Sequence, residues 1–291
     1  MIQDEAYAAC LRIAREHYEN FPVASWLVPA TIRPHIAAVY AFARIADDYA
    51  DEPGPSPDER LALLADWRAR LHGAATEAGR EGGHPDAPAL FIALAATIRD
   101  FDLPLGLFDD LISAFEQDVV TTRYEAWPEL TDYCRRSANP VGRLVLRLFG
   151  YREDRIDRAS DALCTALQLT NFWQDMAVDW QRGRLYVPAA VWRHHRADPA
   201  ALATGRLSPE WATSLRDCGA HTRELFTAGR PVCDLVSGRL AHELRATWLG
   251  GLRILDQLEE NAFDVFTSRP TLGITDGLVI ACRTLGWRRG A

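Results

Sequence analysis

Gln168-Leu169-Thr170-Asn171-Phe172-Trp173-Gln174-Asp175-Met176-Ala177-Val178-Asp179 places four polar side chains, Gln168, Asn171, Asp175 and Asp179, at intervals of three, four and four in a largely apolar run. At about 100° per residue these side chains stack on one face over three turns, so the stretch reads as a helix, expected to begin near Asp161. A second stretch, Ala38-Val39-Tyr40-Ala41-Phe42-Ala43-Arg44-Ile45-Ala46-Asp47-Asp48-Tyr49-Ala50-Asp51-Glu52, repeats the pattern: Tyr40, Arg44, Asp47, Asp48 and Asp51 follow at four, three, one and three. They too share a helical face, and their acids gather at the C-terminal end, where mutual repulsion and the helix dipole both disfavour negative charge.

Apolar residues recur at three- and four-residue intervals through most of the remaining chain, and alternating strand-like runs are hard to find. The fold class expected is all-α. Breaks fall at Pro53-Gly54-Pro55-Ser56-Pro57, across a glycine-rich and charged loop from Gly73 to Pro88, and at Leu103-Pro104-Leu105-Gly106, Asn139-Pro140, Gly150, Gly183, Pro188 and Ser208-Pro209. This segmentation predicts roughly ten helices. With 291 residues, 48% of them hydrophobic, the chain can bury a large core, and one domain over 1-291 is the expected organisation.

The net charge of -8 and the lack of a basic stripe argue against nucleic acid as a partner. No lysine occurs, so every fixed cation is arginine; a phosphate loop of the usual kind, a lysine Schiff base and a lysine general base are all excluded. No GxGxxG follows a strand-like run. The six cysteines are scattered without a CxxC pair, which points to a reduced cytoplasm. No apolar run approaches the roughly 20 residues of a membrane span, leaving peripheral contact at the inner face of a membrane open.

The acid rows admit a plain reading: a solvated helix end for the first, a polar core network for the second. Two such faces in one helical chain favour chemistry instead. Carboxylate and amide oxygens suit hard cations such as Mg2+, which takes one or two carboxylates together with waters and phosphate oxygens. Arg182-Gly183-Arg184-Leu185-Tyr186-Val187-Pro188 then adds two guanidinium groups suited to phosphate just beyond the second row; for Arg182 a simple helix-capping role stands equally. His194-His195 lacks the spacing of a zinc helix and reads as exposed or capping, and the tryptophans read as core.

In order and spacing, Asp47-Asp48-Tyr49-Ala50-Asp51-Glu52, Tyr133-Cys134, the Gln168 to Asp179 row and Arg182-Gly183-Arg184-Leu185-Tyr186 resemble the squalene/phytoene synthase family over nearly the whole chain. His17-Tyr18-Glu19-Asn20-Phe21-Pro22-Val23-Ala24-Ser25, Ser137-Ala138-Asn139-Pro140-Val141-Gly142 and Gln174 are similar to one branch, the bacterial hydroxysqualene synthases of hopanoid biosynthesis. The resemblance implies a helical bundle of the isoprenoid synthase type with a central cavity. It further implies Mg2+ held by Asp47, Asp48, Asp51, Asn171, Asp175 and Asp179, phosphate contacts from Arg44, Arg182, Arg184 and Tyr186, and a reaction cavity lined by Phe21, Tyr40, Tyr133 and Gln168. The activity it implies is ionisation of presqualene diphosphate with capture of water, without NADPH. Head-to-head condensation of prenyl diphosphates is the nearest alternative, and a non-catalytic scaffold of the same fold is the alternative of another class. A partner synthase of the same pathway stays open. Where several carotenoid-type relatives place a cavity-closing aromatic, a rough alignment puts Gly250 or Gly251, which would leave room for water.

Overall fold

The computed structural model describes residues 2–16, 28–51, 54–75 and 87–288. Among these residues every regular element is helical, and the only β-type pairing is a single bridge between Arg123 and Leu185. The chain forms two compact units: residues 1–120 with 140–153, and residues 121–139 with 154–291.

The first unit contains α1 (Ile2–Glu16), α2 (Arg33–Asp51), α3 (Pro57–Ala75), α4 (Ala87–Phe101), α5 (Leu105–Val120) and most of α7 (Asn139–Leu148). Helix α2 is central, packing on α1, α3, α4 and α5. Ile36, Ala37, Ala38, Val39, Ala41, Phe42, Ile45, Ala46 and Ala50 bury a face too wide for a helix at the surface. Phe42 anchors an aromatic cluster, 5.7 Å from the Trp67 ring and 5.3 Å from Phe108, with Trp67 4.7 Å from Phe91. Helix α3 starts with a capping box, in which the Ser56 hydroxyl accepts from Glu59 N while the Glu59 carboxylate accepts from Ser56 N at 2.7 Å. Arg68 clamps α3 to α5 through a two-pronged pair with Glu116 at 2.7 and 3.0 Å.

The second unit contains α6 (Trp127–Ser137), α8 (Asp154–Gln181), α9 (Ala189–His194), a 3-10 turn (Pro199–Thr204), α10 (Pro209–Gly229), α11 (Val232–Leu235), α12 (Gly238–Glu260) and α13 (Ile274–Leu285). Here α8 is central, with α6, α10, α11 and α12 against it. Trp173 is fully buried toward α10 and donates its indole N–H to the Thr222 hydroxyl at 2.9 Å. Trp67 and Trp211 are also core, as expected of them.

Three expectations are corrected in detail. Gly73 lies inside α3 and Pro88 inside α4, since helix runs to Ala75 and resumes at Ala87, where a proline in the first turn sacrifices no hydrogen bond. Helix α8 starts at Asp154, seven residues before the expected position, because Ile156, Ala159, Ser160 and Leu163 continue its buried face through a charged segment. The described residues hold thirteen α-helices rather than about ten; α9 and α11, of six and four residues, are too short to show a period.

Candidate active site

The uncovered side of α2 carries the first acid row. Tyr40, Arg44, Asp47 and Asp48 are partly buried, and Asp51 is exposed at the helix end. The Arg44 guanidinium lies 2.5 Å from Asp48 and 3.6 Å from Asp47, supplying the counter-charge that the acid pattern demanded. Burial on its own would lower the Arg44 pKa, but Asp48 and Asp47 outweigh it and hold the guanidinium above its ordinary value.

On α8, Gln168, Asn171, Asp175 and Asp179 form a partly buried stripe beside the core face. Asn171 donates its amide N–H to Asp175 at 2.7 Å, one turn apart. The other Asp175 oxygen accepts from Arg269 Nε at 2.5 Å. Next to it, the Gln174 amide donates to the carbonyl of Pro270 at 2.7 Å. The segment following α12 is thus strapped to the second acid row by two successive residues. Spacing could not reveal Arg269, which is 94 residues from its partner.

Beyond the row, α8 ends on Gly183 in the left-handed region (φ +80°), where a residue without Cβ is favoured. Arg184 N donates to the Asp179 carbonyl at 2.8 Å, which satisfies one of the carbonyls left open at the helix end. Arg182 is exposed and Arg184 partly buried. The chain then pairs with 122–125: Leu185 N donates to Thr122 O at 3.0 Å and Ala189 N to Tyr124 O at 2.9 Å. This pairing buries Tyr186, which stacks on Phe172 with centroids 3.7 Å apart and planes 5° from parallel. Tyr124 and Tyr133 stand 5.7 and 6.1 Å from Tyr186. Tyr133 and Tyr186, singled out from sequence, therefore belong to one buried cluster with Tyr124 and Phe172, which sequence did not single out.

Phe21 lies outside the described residues. The open space expected at Gly250 or Gly251 is absent. A Cβ on Gly251 would stand 2.4 Å from Leu167 Cδ2 and 2.9 Å from Phe226 Cζ, and one on Gly250 would touch Leu272 at 3.5 Å. Gly251 lets α12 approach α8 and α10 closely, and Gly250 already has side chains at ordinary contact distance, so neither position faces a void. His195 pairs with Asp217 at 2.6 Å, in keeping with a role away from metal.

No three His, Cys, Asp or Glu side chains among the described residues converge as a ready cage for a metal ion. The donors on both helices are nevertheless all oxygen, and Mg2+ commonly draws only one or two carboxylates from a protein and completes its shell with water and substrate. Each row taken by itself offers donors of the kind that ion takes.

An all-helical chain with an aspartate row on each of two core helices and an arginine-rich helix exit is the architecture of an isoprenoid synthase. The chain belongs to the squalene/phytoene synthase family, whose model matches residues 14–275. Within that family it is 36% identical to a hydroxysqualene synthase of Rhodopseudomonas palustris over 255 residues, 87% of this chain and 84% of that protein. It is 43% identical to the hydroxysqualene synthase of Zymomonas mobilis over 187 residues, a match that covers 63% of this chain and 60% of the Zymomonas protein. The crystal structure of squalene synthase HpnC from Alicyclobacillus acidocaldarius matches with a TM-score of 0.82 at 37% identity, covering 90% of this chain and 95% of that one.

Proposed function

We propose that this chain ionises presqualene diphosphate with Mg2+ and captures the rearranged cation with water, releasing hydroxysqualene and inorganic diphosphate. The observation carrying this reading is the likeness to the Rhodopseudomonas hydroxysqualene synthase across most of both chains. Gln174, which stands where many family members have arginine, supports the same branch.

In this reading Asp47, Asp48 and Asp51 of α2 and Asn171, Asp175 and Asp179 of α8 hold the ions. When bound, Mg2+ would neutralise the charge that gathers on the departing diphosphate. Arg44, Arg182 and Arg184 supply fixed positive charge for phosphate oxygens, a task suited to the guanidinium fork. The C–O bond to diphosphate breaks, the cyclopropane opens, and a water oxygen adds to the cation and gives up a proton, so no reductant is consumed. Tyr133 lines the proposed cavity, and the buried cluster that it forms with Tyr124, Phe172 and Tyr186 keeps bulk water from reaching the cation through that wall. By the family resemblance Tyr40 and Gln168 serve the same reaction.

A second reading, head-to-head condensation of prenyl diphosphates, is favoured by the name of the Alicyclobacillus structure, a squalene synthase. One assay separates them. Purified protein with Mg2+ receives presqualene diphosphate in one tube and farnesyl diphosphate in another, and extracts are identified by mass spectrometry. Hydroxysqualene from the first tube alone, abolished by chelator, is the expected result. Turnover of farnesyl diphosphate would replace it with the condensing reaction, and silence in both tubes would overturn both.

A further inference from the structure

Between α12 and α13 the chain runs from Asn261 to Gly273 without a helix, and it is held at two places. Near the start Phe263 and Val265 are buried, with the Phe263 ring 2.5 Å from where a Cβ on Gly219 of α10 would stand. Near the end Pro270 is buried, although Thr267, Ser268 and Arg269 before it and Thr271, Leu272 and Gly273 after it are exposed. Among the described residues, no backbone–backbone hydrogen bond reaches residues 269–272. What tethers this stretch of backbone is the Gln174 side chain, whose amide donates to the Pro270 carbonyl at 2.7 Å.

Proline extends the effect of that bond beyond one carbonyl. Its ring fixes φ, and it confines the residue before it to extended backbone. With the Pro270 carbonyl pinned, the direction in which the Arg269 side chain leaves the chain is pinned too. Arg269 Nε then meets Asp175 at 2.5 Å, while Asn171 occupies the other Asp175 oxygen at 2.7 Å. At 45% exposure the Arg269 side chain gains little from the ion pair by itself, so its placement depends on the backbone that carries it. Gln174 and Asp175 are successive on α8, and Arg269 and Pro270 are successive in the connection, so the two contacts act as one clasp. The neutral amide of Gln174 can hold the carbonyl without bringing a second cation beside Asp175.

We propose that Gln174 is a positioning residue: through the Pro270 carbonyl it keeps Arg269 on Asp175 and so weakens the hold of that carboxylate on a divalent cation. The proposal rests on the reading of Asp175 as an ion ligand.

The test is a double-mutant cycle on the full chain, comparing the parent, Gln174→Met, Arg269→Gln and the double variant. Methionine keeps the length of the side chain and removes the donor, and circular dichroism with the melting midpoint certifies the fold. Binding of Mn2+ alone is read by electron paramagnetic resonance. Gln174→Met should tighten it about twofold when Arg269 is present and leave it unchanged in the Arg269→Gln background, because the glutamine acts through the arginine. In Gln174→Met the amide order parameters of Thr271 and Leu272, measured by nuclear magnetic resonance, should fall below about 0.6 from a parent value near that of rigid backbone, about 0.85. The same change in Mn2+ affinity in both backgrounds, weaker binding in Gln174→Met, or unchanged order parameters overturns the positioning role while leaving the ion site in place. Asp175→Asn tells that failure from failure of the ion site itself: Mn2+ bound equally by parent and Asp175→Asn, or not bound by the parent, removes the site and the proposal with it.

Discussion

Asp175 carries the most dependent position in the second row, since its two oxygens are engaged from opposite directions by Asn171 at 2.7 Å and Arg269 at 2.5 Å. Replacing it with asparagine keeps the shape and removes the charge. If the carboxylate serves Mg2+, Asp175→Asn should lower diphosphate release by about a hundredfold or more, in line with loss of one preorganised electrostatic contact; turnover within a few-fold of the parent would remove Asp175 from the chemistry. Arg269 makes the complementary prediction. Its side chain is about half exposed, so the pair is screened and worth at most ~1 kcal/mol. A metal ion taking Asp175 must compete with that guanidinium, and Arg269→Gln should tighten binding of Mn2+ alone by about two- to fivefold, the equivalent of ~0.5–1 kcal/mol. Titration followed by electron paramagnetic resonance reads this directly, and weaker binding would show that the arginine supports the ion site rather than contesting it.

At the scale of helices, small residues decide how closely α10 and α12 approach α8. A Cβ on Gly229 would stand 2.6 Å from the backbone nitrogen of Leu163, an atom that cannot swing aside, whereas one on Gly251 meets only side-chain ends of Leu167 and Phe226. Gly229→Ala should therefore cost about 1–3 kcal/mol and Gly251→Ala less, because rotamers can absorb the second clash. Denaturant midpoints would check the order, and a larger loss at Gly251 would contradict it. These glycines also mark the limit of what the sequence disclosed. The rows on α2 and α8 were legible because helical spacing alone brings Arg44 to Asp48 and Asn171 to Asp175, each four residues apart. Contacts made across the fold left no such trace: the Arg269 strap, the space filled beside Gly251, and Tyr124 in the aromatic cluster depend on segments meeting that no periodicity links. Charge hides a helix boundary where it masks a buried face, as at Asp154–Arg158.

Across the described residues, two histidines, one in each compact unit, have their protonation disfavoured by folding. In the first, His35 Nδ1 lies 3.0 Å from the Tyr7 hydroxyl and 2.9 Å from that of Thr97, with the Phe101 ring 4.6 Å away. Burial lowers its pKa below the ordinary value near 6.5, opposed in part by Asp100. In the second, the His221 ring is 4.2 Å from Trp127, and burial again lowers its pKa against the pull of Glu224. Well above pH 6.5 both are neutral in the folded and unfolded chain, and no stability is lost through them. As pH falls through 6.5, the unfolded chain takes up protons more readily than the folded chain, and linkage erodes stability until the folded pKa values are passed. The melting midpoint should consequently decline between pH 7 and pH 5.5, with a shallower decline in His35→Gln, which retains a polar side chain and cannot titrate. Nuclear magnetic resonance titration offers the independent check: the ring signals of His35 and His221 should move at lower pH than that of an unperturbed histidine. Identical slopes for parent and variant, together with ordinary titration of His35, would show that the Tyr7–His35–Thr97 network contributes nothing to acid sensitivity.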